Sequence, residues 1–388
     1  METEFIPFSL PSIGEEEINE VVDTLRSGWL TTGPKTRQFE EEFAQYVGVK
    51  HAIAINSATA GLHLSLEALG ISEGDKVVTT TYTFTATAEV VRYLGADPVF
   101  VDVDPITANI DIEKLAGVLE KIEGIKAIIP VHFAGQSCEL DKITQLAKKY
   151  SVGVVEDSAH AFPATYNGKK IGTFSEATVF SFYANKTITT GEGGMITTDN
   201  DALAERVRVM RLHGINRDVF NRYHSRKPAW YYEVVAPGFK YNLTDIAASI
   251  GIHQLRKAEA LRNRREQIAQ VYNEAFKDLP LELPRNVRET DVHSWHLYVV
   301  RIKANPRDIS RDRFIELLAE KNIGSSVHFI PLHLQPYWRD HYGLNSSDFP
   351  VAQGIYESAV SLPNFADMTD VQVNRVISAV REIFESCS

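Results

Sequence analysis

Only two cysteines, Cys138 and Cys387, occur in this 388-residue chain, so neither a disulfide framework nor a thiolate metal site is indicated. No apolar run approaches the ~18 residues that a membrane-spanning helix needs. The opening Met1-Glu2-Thr3-Glu4 lacks the basic segment of a secretory signal, which makes the cytoplasm the expected compartment. Positive charge is in deficit as well: the formal net charge is −11, the wrong sign for a nucleic-acid partner. The basic clusters at 222–227 and 262–265 read first as solvated surface, with an anionic substrate as the alternative. No Gly-x-Gly-x-x-Gly follows any strand-like run, which weighs against a dinucleotide-dependent dehydrogenase. Of the 12 histidines only His293 and His296 form a close pair, with no third ligand nearby, so no metal is expected.

What remains is ordinary for a globular protein, with 44% hydrophobic and 23% charged residues. The length suits two domains better than one core. Ser12-Ile13-Gly14-Glu15 has the form of a capping box, and Ile18, Val21, Val22 and Leu25 then repeat at helical spacing until Gly28. Short apolar runs follow at 51–55, 76–80, 98–103, 126–133, 152–156, 178–182 and 194–198, separated by helical patterns or long connections. Such runs, apolar on both faces, describe a mainly parallel sheet buried between helices, an α/β fold. A long helical stretch through Asp245, Leu255, Leu261, Ile268 and Tyr272 leads to a breaker at 280–284, a strand at 296–302 and a helix at 311–321. The expected organisation is an N-terminal arm and large domain over 1–245, and a connecting helix and smaller α+β domain over 246–388.

Three features carry chemistry. Asn56-Ser57-Ala58-Thr59-Ala60-Gly61 links a strand to a helix, and unpaired N–H groups at such a helix start can receive a phosphate. Asp157 ends an apolar run, at the carboxyl edge where α/β sheets place ligands, and His160 follows it by three residues. Lys186 lies after the run 178–182 and before a glycine-rich turn, a position where burial can lower the pKa of an amine. A Schiff-base lysine, a carboxylate for a pyridine nitrogen and a phosphate turn are the three attachments that pyridoxal phosphate needs.

The ordered set Ser-Ala-Thr at 57–59, Asp-x-x-His at 157–160, Ser-Phe-x-x-x-Lys at 181–186 and Glu-Gly-Gly at 192–194 resembles the DegT/StrS-type family of nucleotide-sugar aminotransferases. The likeness runs over nearly the whole chain, including 28–34, 81–87, 102–104, 241–245 and 331–335. It implies a fold type I pyridoxal-phosphate enzyme in which Lys186 carries the internal aldimine, Asp157 pairs with the pyridine nitrogen and His160 approaches the phenolic oxygen. Ala58, Thr59 and Ser181 would hold the phosphate, Phe84 would stack on the ring, and Asn242 would reach the phosphate of a neighbouring subunit in a homodimer. Glutamate, leaving as 2-oxoglutarate, would convert the cofactor to pyridoxamine phosphate, which then aminates a nucleotide-linked keto sugar. His328, His333, Arg217 and Arg226 are candidates for the substrate side.

Blocks at 237–246, 294–297, 309–312 and 324–329 look especially like the branch that makes UDP-4-amino-4-deoxy-L-arabinose, pointing to C4 of a UDP-sugar. Tyr183-Ala184-Asn185, Phe84 and Thr190-Gly191 depart from the pattern on the substrate side. C3 amination, 3-dehydration and a non-catalytic regulator are the rival readings. Members that dehydrate at C3 replace the lysine with histidine, and this chain has Lys186.

Overall fold

The computed structural model describes residues 4–216, 231–304 and 307–385. Helix α1 (Glu15–Ser27) ends as the sequence predicts, at Gly28 in the left-handed conformation that glycine adopts without strain. Its start differs from the expected capping box. Gly14 is the cap, and the Glu17 carboxylate accepts the Gly14 N–H at 2.8 Å. Ser12 is held elsewhere, its carbonyl accepting from the Gln254 side chain at 2.6 Å.

The large unit follows as α2 (Pro34–Val47), β1 (His51–Ile55), α3 (Ala58–Ala68), β2 (Lys76–Thr80), α4 (Ala86–Tyr93), β3 (Asp97–Val101), α5 (Ile112–Lys121), β4 (Ile125–Ile128), α6 (Leu140–Tyr150) and β5 (Gly153–Asp157). The hairpin β6 (Thr165–Tyr166) and β7 (Lys169–Lys170), then β8 (Ala177–Ser181), β9 (Gly194–Thr198) and α7 (Asp201–Met210) complete it. Seven strands form one sheet in the order β1-β9-β8-β5-β4-β2-β3. Each of the seven predicted runs supplies one of them. The run at 126–133 is a regular strand only to Ile128, and beyond it the chain stays beside β5 through the isolated bridge of Val131 with Asp157.

All neighbours in this sheet are parallel except β9, which runs opposite to both β1 and β8. Alternation along the strands divides the core. Ile53, Val77, Val155, Val179 and Ile196 face α3, α4 and α7, while Ala54, Val78, Val154, Phe180 and Met195 face α2, α5, α6 and the long helix below. Each large apolar side chain buried this way contributes about 1.5–3 kcal/mol, which fixes the register of the strands on both faces.

Helix α8 (Asp245–Phe276) is 32 residues long and serves two cores. Ala248, Ile252, Leu255 and Leu261 pack under the large sheet, whereas Ile268, Tyr272 and Phe276 enter a second cluster. That cluster joins the antiparallel sheet of β10 (Leu281–Glu282), β11 (Tyr298–Ile302) and β12 (Ala359–Leu362) to α9 (Arg311–Glu320) and other C-terminal helices. The N-terminal arm, expected with the large domain, reaches this second core. Ile6 is 1% exposed within it and its N–H and C=O bond to Asn322 and Gly324 at 2.9 and 2.8 Å. We propose a division close to the expected one, with the cores changing over inside α8 and the arm counted with the smaller unit. No helix among the described residues is long and apolar enough to cross a membrane.

Candidate active site

The carboxyl ends of β2, β5 and β8, the start of α3 and the reversed start of β9 meet at one rim of the sheet, around a cavity of about 450 Å³. Ser57 caps α3 in extended conformation, its Oγ accepting the Ala60 N–H at 3.1 Å. Ala58 and Thr59 therefore present the first turn, with its partial positive charge, to the cavity. Gly194 lies against that turn. A Cβ there would stand 2.7 Å from the Phe180 carbonyl oxygen and 3.0 Å from the Ala58 nitrogen, so a side chain would displace the helix start.

Asp157 sits at the end of β5, 7% exposed. Its Oδ2 accepts the Thr87 hydroxyl at 2.7 Å and its Oδ1 the Ala159 N–H at 3.1 Å. Burial raises its pKa, against those hydrogen bonds and the charge of Lys186, which lower it. Lys186 lies in the connection from β8 to β9, its N–H bonded to the Tyr183 carbonyl at 2.9 Å. Burial and, less strongly, the charge of Arg265 push the amine down to about 8, with Asp157 opposing. A lysine so placed keeps a substantial uncharged fraction near neutral pH.

His160 accepts the Ala134 N–H on Nδ1 at 3.3 Å, which leaves its proton on Nε2. Burial and the charge of Lys186 hold it neutral, well below the ordinary imidazole range. Its ring lies nearly parallel to Phe329, with centroids 5.7 Å apart. Ser181, at the end of β8, and the exposed ring of Phe84 stand on the cavity wall as well.

His328 lines the cavity too, with Nδ1 2.9 Å from the Ser361 hydroxyl, and is pushed down to about 4 by burial and by Lys186. His333 requires a correction. It is 1% exposed and away from the cavity, its two ring nitrogens taken by Thr81 and Gln353 at 3.2 and 3.0 Å, because the turn that carries it folds into the core. Asn242 lines a separate concavity of about 550 Å³ beside Thr32 and Arg211, its Nδ2 donating to Thr32 at 2.6 Å. Arg217 and Arg226 lie outside the described residues.

The wall also holds His296, Phe329 and Glu192, which sequence reasoning did not assign to the site, and Tyr183 and Asn185 from the block expected to border the substrate side. His296 places Nε2 3.5 Å from the Lys186 amine, and its ring is tilted 45° against that of His160 with centroids 4.4 Å apart. Its block and that of Phe329 carried the family likeness, which was the available signal. Two buried atoms of this wall, Asn185 Oδ1 and His296 Nδ1, have no protein partner.

A desolvated amine, a carboxylate held by two donors, a neutral N–H donor and a small-residue helix start fit pyridoxal phosphate. A family profile described as the DegT/DnrJ/EryC1/StrS aminotransferase family matches residues 11–381. The spore coat polysaccharide biosynthesis protein SpsC of Bacillus subtilis is 47% identical over 380 residues, covering 98% of this chain and 97% of SpsC. Spr1654 of Streptococcus pneumoniae, described as a sugar aminotransferase and solved in PMP and PLP forms, is 35% identical in the PMP form. That structure has a TM-score of 0.91 and covers 98% of this chain and 99% of its own. PseC of Helicobacter pylori, an aminotransferase involved in the biosynthesis of pseudoaminic acid, is 31% identical with a TM-score of 0.89, over 99% of this chain and 100% of PseC.

Proposed function

Because this chain belongs to the DegT/DnrJ/EryC1/StrS aminotransferase family, we propose that it moves the amino group of glutamate onto the C4 keto group of a nucleotide-linked sugar, a UDP-sugar in particular. It is a pyridoxal-phosphate-dependent sugar aminotransferase with the fold type I architecture. The observation that carries the reading is the half-buried Lys186, with its amine in one cavity with Asp157 and the start of α3.

Bound pyridoxal phosphate supplies an aldehyde that takes up amines and a ring that absorbs carbanion charge. The backbone N–H groups of Ala58 and Thr59, with the Ser181 hydroxyl, anchor the phosphate. Asp157 holds a proton on the ring nitrogen, and the Nε2–H of His160 donates to the phenolic oxygen. Phe84 and Phe329 wall the cavity against water. Lys186 Nζ would serve as the base that takes the proton from the glutamate α-carbon and as the acid that returns it two bonds away, across the amino nitrogen, with the same roles reversed on the sugar. Ping-pong kinetics follow, with 2-oxoglutarate released first.

The sugar is supported by the names of the relatives: SpsC belongs to spore coat polysaccharide synthesis and PseC to pseudoaminic acid synthesis. The UDP-sugar and its C4 rest on the arabinose-branch blocks in the sequence. A homodimer is supported by the apolar stripe of α1, since Ile18 and Leu25 stand 46% and 51% exposed while Glu17 and Thr24 of the same helix are buried against the chain. In that dimer Asn242 would face the neighbour's phosphate.

Incubating the enzyme with glutamate and a panel of UDP-, GDP- and dTDP-ketosugars tests the reading. The expected product is a 4-amino sugar from a UDP substrate, made by a species of twice the chain mass. Amination at C3, or no reaction with any ketosugar, would overturn the substrate assignment.

The amine pKa gives a second expectation. Capture of pyridoxal phosphate by the apo-protein requires uncharged Lys186, so its rate rises with pH and levels off above about 8. An ordinary lysine would keep the rate rising toward pH 10, and stopped-flow absorbance distinguishes the two profiles.

A further inference from the structure

Behind Asp157 stands a pair of hydroxyls that the chemistry above does not use. Thr87, in the first turn of α4, is 0% exposed and donates to Asp157 Oδ2 at 2.7 Å. Thr83, 1% exposed and bordering the cavity, has its Oγ 2.8 Å from that of Thr87. A hydroxyl has one proton. When Asp157 is ionised Thr87 spends its proton on the carboxylate, so Thr83 must donate to Thr87. The chain then runs in one direction, from Thr83 through Thr87 to Asp157, and each donor polarises the next. Both carboxylate oxygens have a fixed donor, Thr87 on one and the Ala159 N–H on the other, which leaves the remaining lone pairs for the cofactor ring.

We propose that Thr87, backed by Thr83, is the positioning residue of Asp157: it holds the carboxylate ionised and aimed, and thereby sets the pH range over which the protein binds its cofactor. This inference rests on the reading of Asp157 as partner of the ring nitrogen. The other titratable groups that act on Asp157 are Lys186, from the β8–β9 connection, and His132, from the turn after β4. Neither has a hydrogen bond to the carboxylate, so neither substitutes for the hydroxyl.

The sign follows from the hydrogen bond. Affinity that depends on ionised Asp157 is present above its pKa and fades as pH falls through it. Thr87 lowers that pKa, so its loss moves the acid limb of binding upward, by about one pH unit for one charge-assisted bond.

Pyridoxamine phosphate is the suitable probe, because it binds without reacting with Lys186. Its dissociation constant is measured against pH for the wild type, Thr87→Val, Thr87→Ser, Thr83→Val and Asp157→Asn. Expected are an upward-shifted acid limb for Thr87→Val, with about tenfold weaker binding below that limb, recovery in Thr87→Ser and a smaller shift of the same sign in Thr83→Val. Should Thr87→Val not fold, Thr83→Val alone carries the test, since the first bond to Asp157 survives in it. Wild-type profiles in both valine variants, or equal losses in Thr87→Val and Thr87→Ser, would overturn the proposal. If Asp157→Asn itself binds with the wild-type profile, the reading of Asp157 fails instead.

Discussion

Lys186→Ala lowers the release of 2-oxoglutarate from glutamate by about 10⁴-fold, the upper end of the range for loss of a positioned acid–base group. No neighbour can take over. His296 Nε2 is only 3.5 Å from the missing amine, but His296 and His160 are held well below the usual imidazole range by burial and by positive charge. Removing Lys186 removes part of that charge, yet the burial that dominates both shifts remains. The phosphate and ring-nitrogen sites are untouched, so the variant still binds pyridoxamine phosphate, and that retained binding separates lost chemistry from lost folding. Single-turnover measurement decides the matter: release at the normal rate removes Lys186 from the mechanism. Borohydride treatment of the wild type should leave a reduced adduct on the peptide containing residue 186.

Asp157→Asn is expected to cost roughly 10²–10³-fold in the half-reaction with glutamate, comparable to removing one preorganised electrostatic contact. The native carboxylate accepts from Thr87 and from the Ala159 N–H. An amide has one acceptor oxygen, and its NH₂ must face one of those donors. The Thr87 hydroxyl can rotate to accept it, whereas the Ala159 N–H cannot. The side chain therefore keeps its position and loses its charge, so circular dichroism and melting should change little while the rate falls. A wild-type rate in a well-folded Asp157→Asn protein would sink the role given to this carboxylate.

Asp157 was legible because it closes an apolar run and Lys186 because it follows one before a glycine-rich turn, and the end of a buried strand is a definite place in an α/β sheet. The helix start at Ser57 was readable for the same local reason. What escaped depends on packing between distant segments. His296 lies 110 positions from Lys186 and comes beside it only because the turn before β11 docks on the large unit, its carbonyl held by Arg265 at 3.1 Å. His333 misled because a histidine after a proline looks equally apt for a cleft or for a core, and only the bonds to Thr81 and Gln353 decide. At the N-terminus the local pattern was sound, but Ser12 is drawn to Gln254 of α8, and Gly14 with Glu17 takes over the cap.

The reversal of β9 fixes how the reactive amine is mounted. Had β9 run with its neighbours, the chain leaving β8 would have needed to cross the sheet and start again at the far rim, about 16 Å away for a strand of this length. Instead the twelve residues between Ser181 and Gly194 go out and return at the same rim. Their base is cinched by the bonds Phe182 N–H to Gly193 O at 2.9 Å and Thr190 N–H to Phe182 O at 3.0 Å. Lys186 thus rides on a clamped loop rooted in two wholly interior strands, free to swing its side chain but not its backbone. Tyr183 and Asn185 ride on the same loop beside it. Exchanges there could retune sugar selectivity while leaving the amine in register.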